Sequence, residues 1–439
     1  EVLGSSEKFA TLLRSLGVEP PTKVGKKGEI YAFAKDDPGM QELLEHPREE
    51  IRFLAEARLA VKSTITETRT ERIIGIAERG AVPFYLKYCG AHTHRWSGGD
   101  KMNPQNFNRG GALRDAILAP DGHVLVVADS GQIEARVLAW VAGSKSLLDT
   151  FRRNDSTGGD FYSDVGSQFF LKKISKKETP VERQLSKNMV LGLGFGMGWA
   201  KFALELLKGM LGSDPVQFTR DELVKFGVNL ATFTNQRFGA TTCGEHVRTL
   251  TSRLHYDDLL VHCAVADHFV RLYRQRNPEI VQLWRAMSRA IETMAQRTGD
   301  TEVGGFTAGG LTVQHEAIVK PSGLVLRYPG LHKRKGGEYV YRGGNSGREF
   351  VKIYGGLLTE NVVQSLARDV VAEQALRVRA SGRRLGTTTH DELVAVVPEA
   401  DGQAALDFML ARMRTPPVWC ADLPLNASGG FGKSYGAVK

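Results

Sequence analysis

Three short stretches hold the residues whose types and spacing could do chemistry. In Leu125-Val-Val-Ala-Asp129-Ser130-Gly131-Gln132-Ile133-Glu134-Ala-Arg136, four apolar residues predict a buried strand that ends on a carboxylate. The run after Asp129 switches to helical spacing, with Ile133, Val137 and Trp140 on one face. Burying a carboxylate at a strand end costs roughly several kcal/mol unless donors or a cation compensate it. Asp129 is therefore either the cap of the helix that follows or a metal ligand, and this stretch alone leaves both open. Near the other end, Thr387-Thr-Thr-His390-Asp391-Glu392 runs into Leu-Val-Ala-Val-Val397, a second strand pattern with two acids side by side. Adjacent acids in a strand point to opposite faces, which predicts that at least one is buried or bound to a cation. Between these stretches, Arg183, Lys187, Leu191 and Phe195 follow one another at i+4 spacing, which predicts one helix face with two cations followed by two apolar side chains.

Two other clusters fail their own context tests. The glycines at 192, 194, 196 and 198 follow a helix and not a strand, so they are no dinucleotide loop; each weakens a helix interior by roughly 1 kcal/mol, which suits a hinge. Cys89, His92 and His94 match no zinc spacing.

In their order along the chain the three stretches resemble motifs of the family A DNA polymerases. Asp129 with Gln132, Glu134 and Arg136 is similar to motif A, Arg183 to Gly196 to motif B, and His390-Asp391-Glu392 to motif C. The resemblance covers nearly the whole chain, and its texture is that of the bacteriophage-type branch. It implies an α+β right-hand polymerase with an antiparallel palm sheet carrying Asp129 and Asp391, helical fingers and a partial helical thumb. The implied bounds are residues 1–92 for the partial thumb, 93–150 for the first part of the palm, 151–303 for the fingers and 304–439 for the rest of the palm.

The function implied is that of a DNA-directed DNA polymerase, a nucleotidyltransferase that extends a primer 3′-hydroxyl with deoxynucleoside triphosphates and releases pyrophosphate. Two carboxylates brought together cannot both stay ionised cheaply without cations. The resemblance places two magnesium ions on Asp129, Asp391 and the backbone carbonyl of Ser130, with Lys187 and the accessory Glu392 completing the catalytic group. Arg183 and Lys187 would hold triphosphate oxygens, while Leu191 and Phe195 pack on base and sugar. Gln132, Glu134 and Tyr162 also belong to the implied nucleotide site. Glu134 stands where the family closes off the 2′ side of the sugar, and Tyr162 where some relatives carry a histidine; a buried core tyrosine is the alternative there. Arg95, in Thr93-x-Arg95-x-Ser97, resembles the arginine at the minor-groove edge of the primer-terminal pair, and Gln364 the second minor-groove contact. Gln105, Arg109, Arg114 and His390 follow as further template, primer and palm contacts. Ser130 and Gly131 depart from the family pattern, which has a bulky residue and a serine there.

Around these motifs, residues 1 to about 90 predict helices. Phe9, Leu12, Leu13 and Leu16 share one face, a basic loop follows Pro20-Pro21, and a mostly helical stretch from Gln41 to Gly75 carries Arg58, Lys62 and Arg69. The resemblance makes this part the thumb, gripping product duplex. Residues from Phe151 to about Glu302 predict mainly helix, with Thr219 and Glu222 spaced as a capping box. Ser322 to Pro329 predicts a strand, and Tyr354 to Arg377 an amphipathic helix.

The chain has 439 residues and a formal net charge of +9, which favours a polyanionic partner but also suits proteins that merely stay soluble. Its four cysteines are scattered, which fits a reducing compartment and disfavours disulfides. No apolar run approaches the roughly 20 residues that span a bilayer, and the start lacks a signal-peptide pattern. A soluble cytoplasmic protein is expected, in the host cytoplasm if viral. Its expected partners are primer-template DNA, deoxynucleoside triphosphates, and a separate domain or chain supplying an exonuclease and the remaining thumb; proofreading is not expected here. Two rival readings remain: synthesis on an RNA template by the same site, and a non-catalytic nucleic-acid-binding relative.

Overall fold

The structure, a computed structural model, describes residues 2–438 except 26–27, 36, 63–64, 100–102, 108–109, 239–244, 252, 297–300, 303–309, 344–346 and 348. Arg109, the Lys62 side chain and the boundary expected at 303–304 lie outside the described residues. The chain forms two compact units, Glu1–Val82 with Ala203–Gly209 and Asp214–His262, and Pro83–Phe202 with Met210–Ser213 and Cys263–Lys439. Residues 214–262, expected with the fingers, thus group with the N-terminal segment. Every strand pairing among the described residues is antiparallel, and helices fill most of the rest, which makes the fold α+β. None of the described helices is long and apolar enough to cross a membrane.

In the first unit, helix Ser6–Ser15 sends Phe9 and Leu13, one turn apart, into a core with Phe33, Met40 and Ile51. The stretch expected as a basic loop is instead a hairpin, Thr22–Gly25 against Gly28–Tyr31. Its β-branched and aromatic residues suit a pleated pair, and Thr22 Oγ1 donates to Glu29 across it at 2.6 Å. Arg58, in the helical stretch expected as part of the thumb, is fully buried: it donates to the Leu3 carbonyl and to Ser6 Oγ and lies over the rings of Phe9 and Phe33. The predicted capping box forms, with the Thr219 N–H donating to Glu222 Oε2 at 2.9 Å, and it opens helix Arg220–Lys225.

The second unit is built on a four-stranded sheet. Strand β1 (His123–Ser130) leads into α1 (Ile133–Ala142), followed by α2 (Lys145–Thr157), α3 (Phe161–Phe170) and α4 (Pro180–Leu193). After the long α5 (Gly355–Ala380) come β2 (Arg384–Thr389), β3 (Glu392–Pro398), α6 (Gly402–Met413) and β4 (Ala427–Gly432). The sheet order is β2-β3-β1-β4. Val124, Val126 and Ala128 pack with Val371 and Val378 of α5 and Met409 and Met413 of α6, and Leu125 and Val127 on the other face are buried too. Burial on both faces is why β1 appears as an unbroken apolar run. Gly429 lets β4 close on it, since a Cβ there would lie 2.0 Å from the Val127 carbonyl oxygen.

Two motif expectations need correction. The stretch from Thr387 to Val397 is not one strand: it turns at His390-Asp391, with Thr389 paired to Glu392. No glycine or asparagine marks the turn, because His390 itself takes φ +56°. Likewise, α4 stops at Leu193, where Gly194 gives its carbonyl to Trp284 Nε1 at 2.9 Å, so Phe195 is not on the helix face.

Candidate active site

The turn that breaks the second strand is what separates its two acids. Glu392 pairs in register with Asp129, and the Ser130 N–H donates to the Asp391 carbonyl at 3.0 Å. Asp391 therefore stands at the tip of the β2–β3 hairpin beside the end of β1. Asp129 and Asp391 both line one cleft of about 520 Å³.

Glu392 goes the other way. It is buried, accepts from Arg114 Nη2 at 3.1 and 3.3 Å and from the Tyr435 hydroxyl, and does not line the cleft. Arg114, expected as a DNA contact, is corrected to a buried anchor: its guanidinium lies 3.8 Å from the centroid of the Tyr435 ring. Burial, with Glu392 adding to it, pushes the Tyr435 phenol up, so it stays a donor at neutral pH. The expectation that one of the adjacent acids is buried and ion-bound is met by Glu392, which positions the hairpin that carries the other.

The loop after Asp129 is pinned. Gln132 takes φ +50°, the Gly131 N–H donates to the Asn426 carbonyl at 2.9 Å, and Arg136 Nε donates to the Gly131 carbonyl at 2.8 Å. The two Nη groups of Arg136 grip Asp155 at 2.7 Å each, and Asn426 Nδ2 donates to the same carboxylate at 2.9 Å. Ser130 is small for a reason, since its buried hydroxyl donates to Gln374 Oε1 at 2.7 Å and Gln374 Nε2 donates to the Met413 carbonyl at 2.6 Å. Its side chain does not reach the cleft. Gly131 is not demanded by space: a Cβ there would meet only the Asn426 carbonyl, at 3.5 Å.

Gln132, Glu134, Tyr162, Lys187 and Leu191 also line the cleft. Lys187 and Leu191 are one turn apart on α4, as the spacing predicts. Arg183, a turn earlier, is engaged: Nε and Nη2 donate to the two Asp160 oxygens at 2.9 and 2.8 Å, and the guanidinium lies 5.1 Å over Tyr162. Burial tends to raise the Asp160 carboxyl, but hydrogen bonds from Arg183 and Ser163 outweigh it and hold it low. Tyr162 is both a buried core residue and a cleft residue.

Arg95, Gln105, Gln364 and His390 line it as well. Arg95 links two of these residues, donating from Nη1 to Glu134 at 3.2 Å and from Nη2 to His390 Nδ1 at 3.3 Å. His390 therefore accepts at Nδ1 and carries its proton on Nε2. Burial, helped by Arg95, lowers its pKa, while burial raises that of Glu134 against the pull of Arg95. Among residues that the motifs do not mark, the cleft also takes Trp96 and Arg368. Arg368 lies one turn from Gln364, the only sequence cue it gives.

The donor set fits a divalent cation of the magnesium kind. Among the described residues there is no group of three His, Cys, Asp or Glu that could hold a metal. Asp129 and Asp391 would supply two carboxylates, leaving the rest of an octahedral shell to water and phosphate oxygens, which is how magnesium is usually held.

The comparisons with known proteins bear on the family and the fold. The sequence profile of DNA polymerase family A matches residues 2–256. A DNA polymerase of Bacillus phage SP02 is 29% identical over 332 residues, covering 72% of this chain and 42% of the phage protein. DNA polymerase I of Mycobacterium tuberculosis (strain ATCC 25618 / H37Rv) is 34% identical over 95 residues, 21% of this chain and 10% of that protein. This chain thus spans less than half the length of these relatives. Among solved structures, the POL domain of Pol1 from M. smegmatis, in complex with DNA primer-template and dNTP, superposes with a TM-score of 0.63 at 19% identity, covering 99% of this chain and 61% of that one. With more than half of its length matched by the family profile, the chain belongs to DNA polymerase family A.

Proposed function

We propose that this chain is the polymerase part of a DNA-directed DNA polymerase, which extends a primer 3′-hydroxyl with deoxynucleoside triphosphates. The observation that carries the reading is the meeting in one cleft of Asp129, Lys187 and Asp391, from three distant stretches of sequence. The primer oxygen attacks the α-phosphorus of the incoming nucleotide, the α–β bond breaks, and pyrophosphate leaves. Magnesium ions bound by Asp129 and Asp391 would activate the primer hydroxyl and steady the leaving pyrophosphate. Lys187 offsets the charge that moves onto the triphosphate, and Arg183 joins it by exchanging Asp160 for a phosphate oxygen. Leu191 packs on the sugar, and Glu134 crowds a ribose 2′-hydroxyl. Arg95 and Gln364 donate to purine N3 and pyrimidine O2 in the minor groove, acceptors common to all Watson–Crick pairs, so they test pair shape without reading sequence. His390 offers its Nε2–H to the primer.

In the same reading residues 1–92 are a partial thumb, 151–303 the fingers, and 93–150 with 304–439 the palm. An exonuclease and the remaining thumb would come from a separate domain or chain, and the site of action is the cytoplasm. Primer extension with magnesium and the four deoxynucleotides tests the activity. Asp129→Asn and Asp391→Asn should each lower the rate by orders of magnitude while duplex binding holds. If either variant keeps more than about a tenth of the wild-type rate, the two-metal assignment is wrong.

A further inference from the structure

Gln364 and Arg368 lie one turn apart on α5, and both line the cleft. Arg368 has an arrangement that the protein by itself does not explain. Its side chain is 6% exposed, yet Nε and Nη2 are buried with no hydrogen-bond partner. Only Nη1 has an oxygen, Asp369 Oδ1, at 3.4 Å. The guanidinium lies against the rings of Tyr88 (4.9 Å) and Trp96 (5.6 Å), themselves in edge contact. Asp369 cannot serve Arg368 alone, because its other oxygen accepts from the fully buried Lys320 Nζ at 2.6 Å and from Ser322. Two cations thus share one carboxylate.

An arginine has five N–H donors and no acceptor. Leaving two of its nitrogens unsatisfied is costly, and an apolar side chain between Tyr88 and Trp96 would fill the space without that cost. The arrangement makes sense if a ligand brings the missing acceptors. Four residues of helix advance about 6 Å, which is roughly two base-pair steps of a duplex. We infer that Arg368 is a further duplex-contacting residue, which donates to an acceptor on the nucleic acid about two base pairs from the one met by Gln364. The acceptor is a minor-groove atom or a backbone phosphate oxygen. It reaches the guanidinium when Tyr88, 63% exposed and so easily displaced, swings aside.

This inference rests on the proposal that the cleft holds primer-template DNA, so the test reads binding and extension separately. Equilibrium binding of the full chain would be measured on duplexes carrying a single 3-deazapurine or a single methylphosphonate, moved stepwise back from the primer end. Wild type should show a weak spot that Gln364→Ala erases and another, about two pairs away, that Arg368→Ala erases. The probe that reveals the second spot tells the minor-groove edge from the phosphate. Arg368→Ala should itself weaken binding by roughly ten- to a hundredfold. Arg368→Met, which keeps bulk between the two rings, should erase the same spot, which separates contact from packing. A position profile unchanged in both variants would overturn the inference, even with a uniform loss of affinity. If the position-specific effect appears but wild type extends no primer, the polymerase reading fails and the contact stands.

Discussion

Removing Arg114 should lower stability and turnover while leaving duplex affinity nearly unchanged, although its sequence context resembles a DNA contact. The Arg114 and Glu392 side chains are only 7% and 3% exposed, and two hydrogen bonds of 3.1 and 3.3 Å join them. Taking away one partner of such a pair costs about 3–5 kcal/mol, because the other charge stays buried. The Tyr435 hydroxyl still donates to Glu392, which favours the lower end for Arg114→Met. At about 1–2 °C per kcal/mol for a cooperative unit of this size, the melting temperature should fall by roughly 3–6 °C. Turnover should fall with it, since Glu392 pairs with Asp129 and adjoins Asp391, and a displacement of about 1 Å can cost roughly a hundredfold in rate. The double variant Arg114→Met/Glu392→Gln leaves no charge stranded and should recover much of the stability. Thermal unfolding, duplex anisotropy and single-nucleotide incorporation on the three variants would decide it. A tenfold loss of duplex affinity in Arg114→Met at unchanged melting temperature would refute the anchor role and restore the DNA contact.

Three further outcomes are expected. Asp160→Asn keeps an acceptor for the Ser163 N–H but removes the charge that competes with phosphate for Arg183, so the KM for deoxynucleotides should fall several-fold; a rise would mean that Asp160 positions Arg183 rather than restrains it. Leu191→Tyr should selectively relax discrimination against dideoxynucleotides and Glu134→Ala that against ribonucleotides, the latter by roughly ten- to a hundredfold, as read by incorporation ratios; an unchanged deoxy-to-dideoxy ratio in Leu191→Tyr would mean that this helix face does not meet the sugar. Burial is the main cause that lowers the pKa of His92, His94, His262, His268 and His390. The unfolded chain therefore takes up these protons first, near pH 6.5, so their contribution to stability is complete above that pH and lost as the pH falls below it. Melting curves from about pH 5 to 8 should show the decline, and His262→Gln should shrink it.

What the sequence made legible follows from how far apart the interacting residues are. β1 was readable because burial on both faces leaves a plain apolar run, and Lys187 and Leu191 because a helix turns spacing into a face. The β2–β3 hairpin was not readable, since His390 takes the left-handed conformation without a turn residue to announce it. Arg58 and Arg114 look like surface cations in the sequence. Their partners lie more than 50 and more than 270 residues away, and only the fold brings them together. Phe195 fell off the helix face because Trp284, from a distant segment, takes the Gly194 carbonyl where α4 ends.

The arginines of the site have a common feature that bears on how it would bind. Arg95 starts on Glu134 and His390, Arg183 on Asp160, and Arg368 weakly on Asp369. For the first two, a ligand acceptor replaces an acceptor of the protein, so the gain is a difference between two good bonds and not the value of a new one. Such exchange yields little affinity but much selectivity, because a ligand with a misplaced acceptor leaves a half-buried acid without its partner. Glu134 feels this most directly. If Arg95 moves onto the primer-terminal pair, the carboxylate proposed to face the sugar loses its cation, and burial then weighs more heavily on it. Correct pairing at the primer end and the state of the carboxylate that guards the next sugar would thus be coupled through one guanidinium. Arg368 differs, since two of its nitrogens have nothing to give up, and a bond formed there adds to affinity outright.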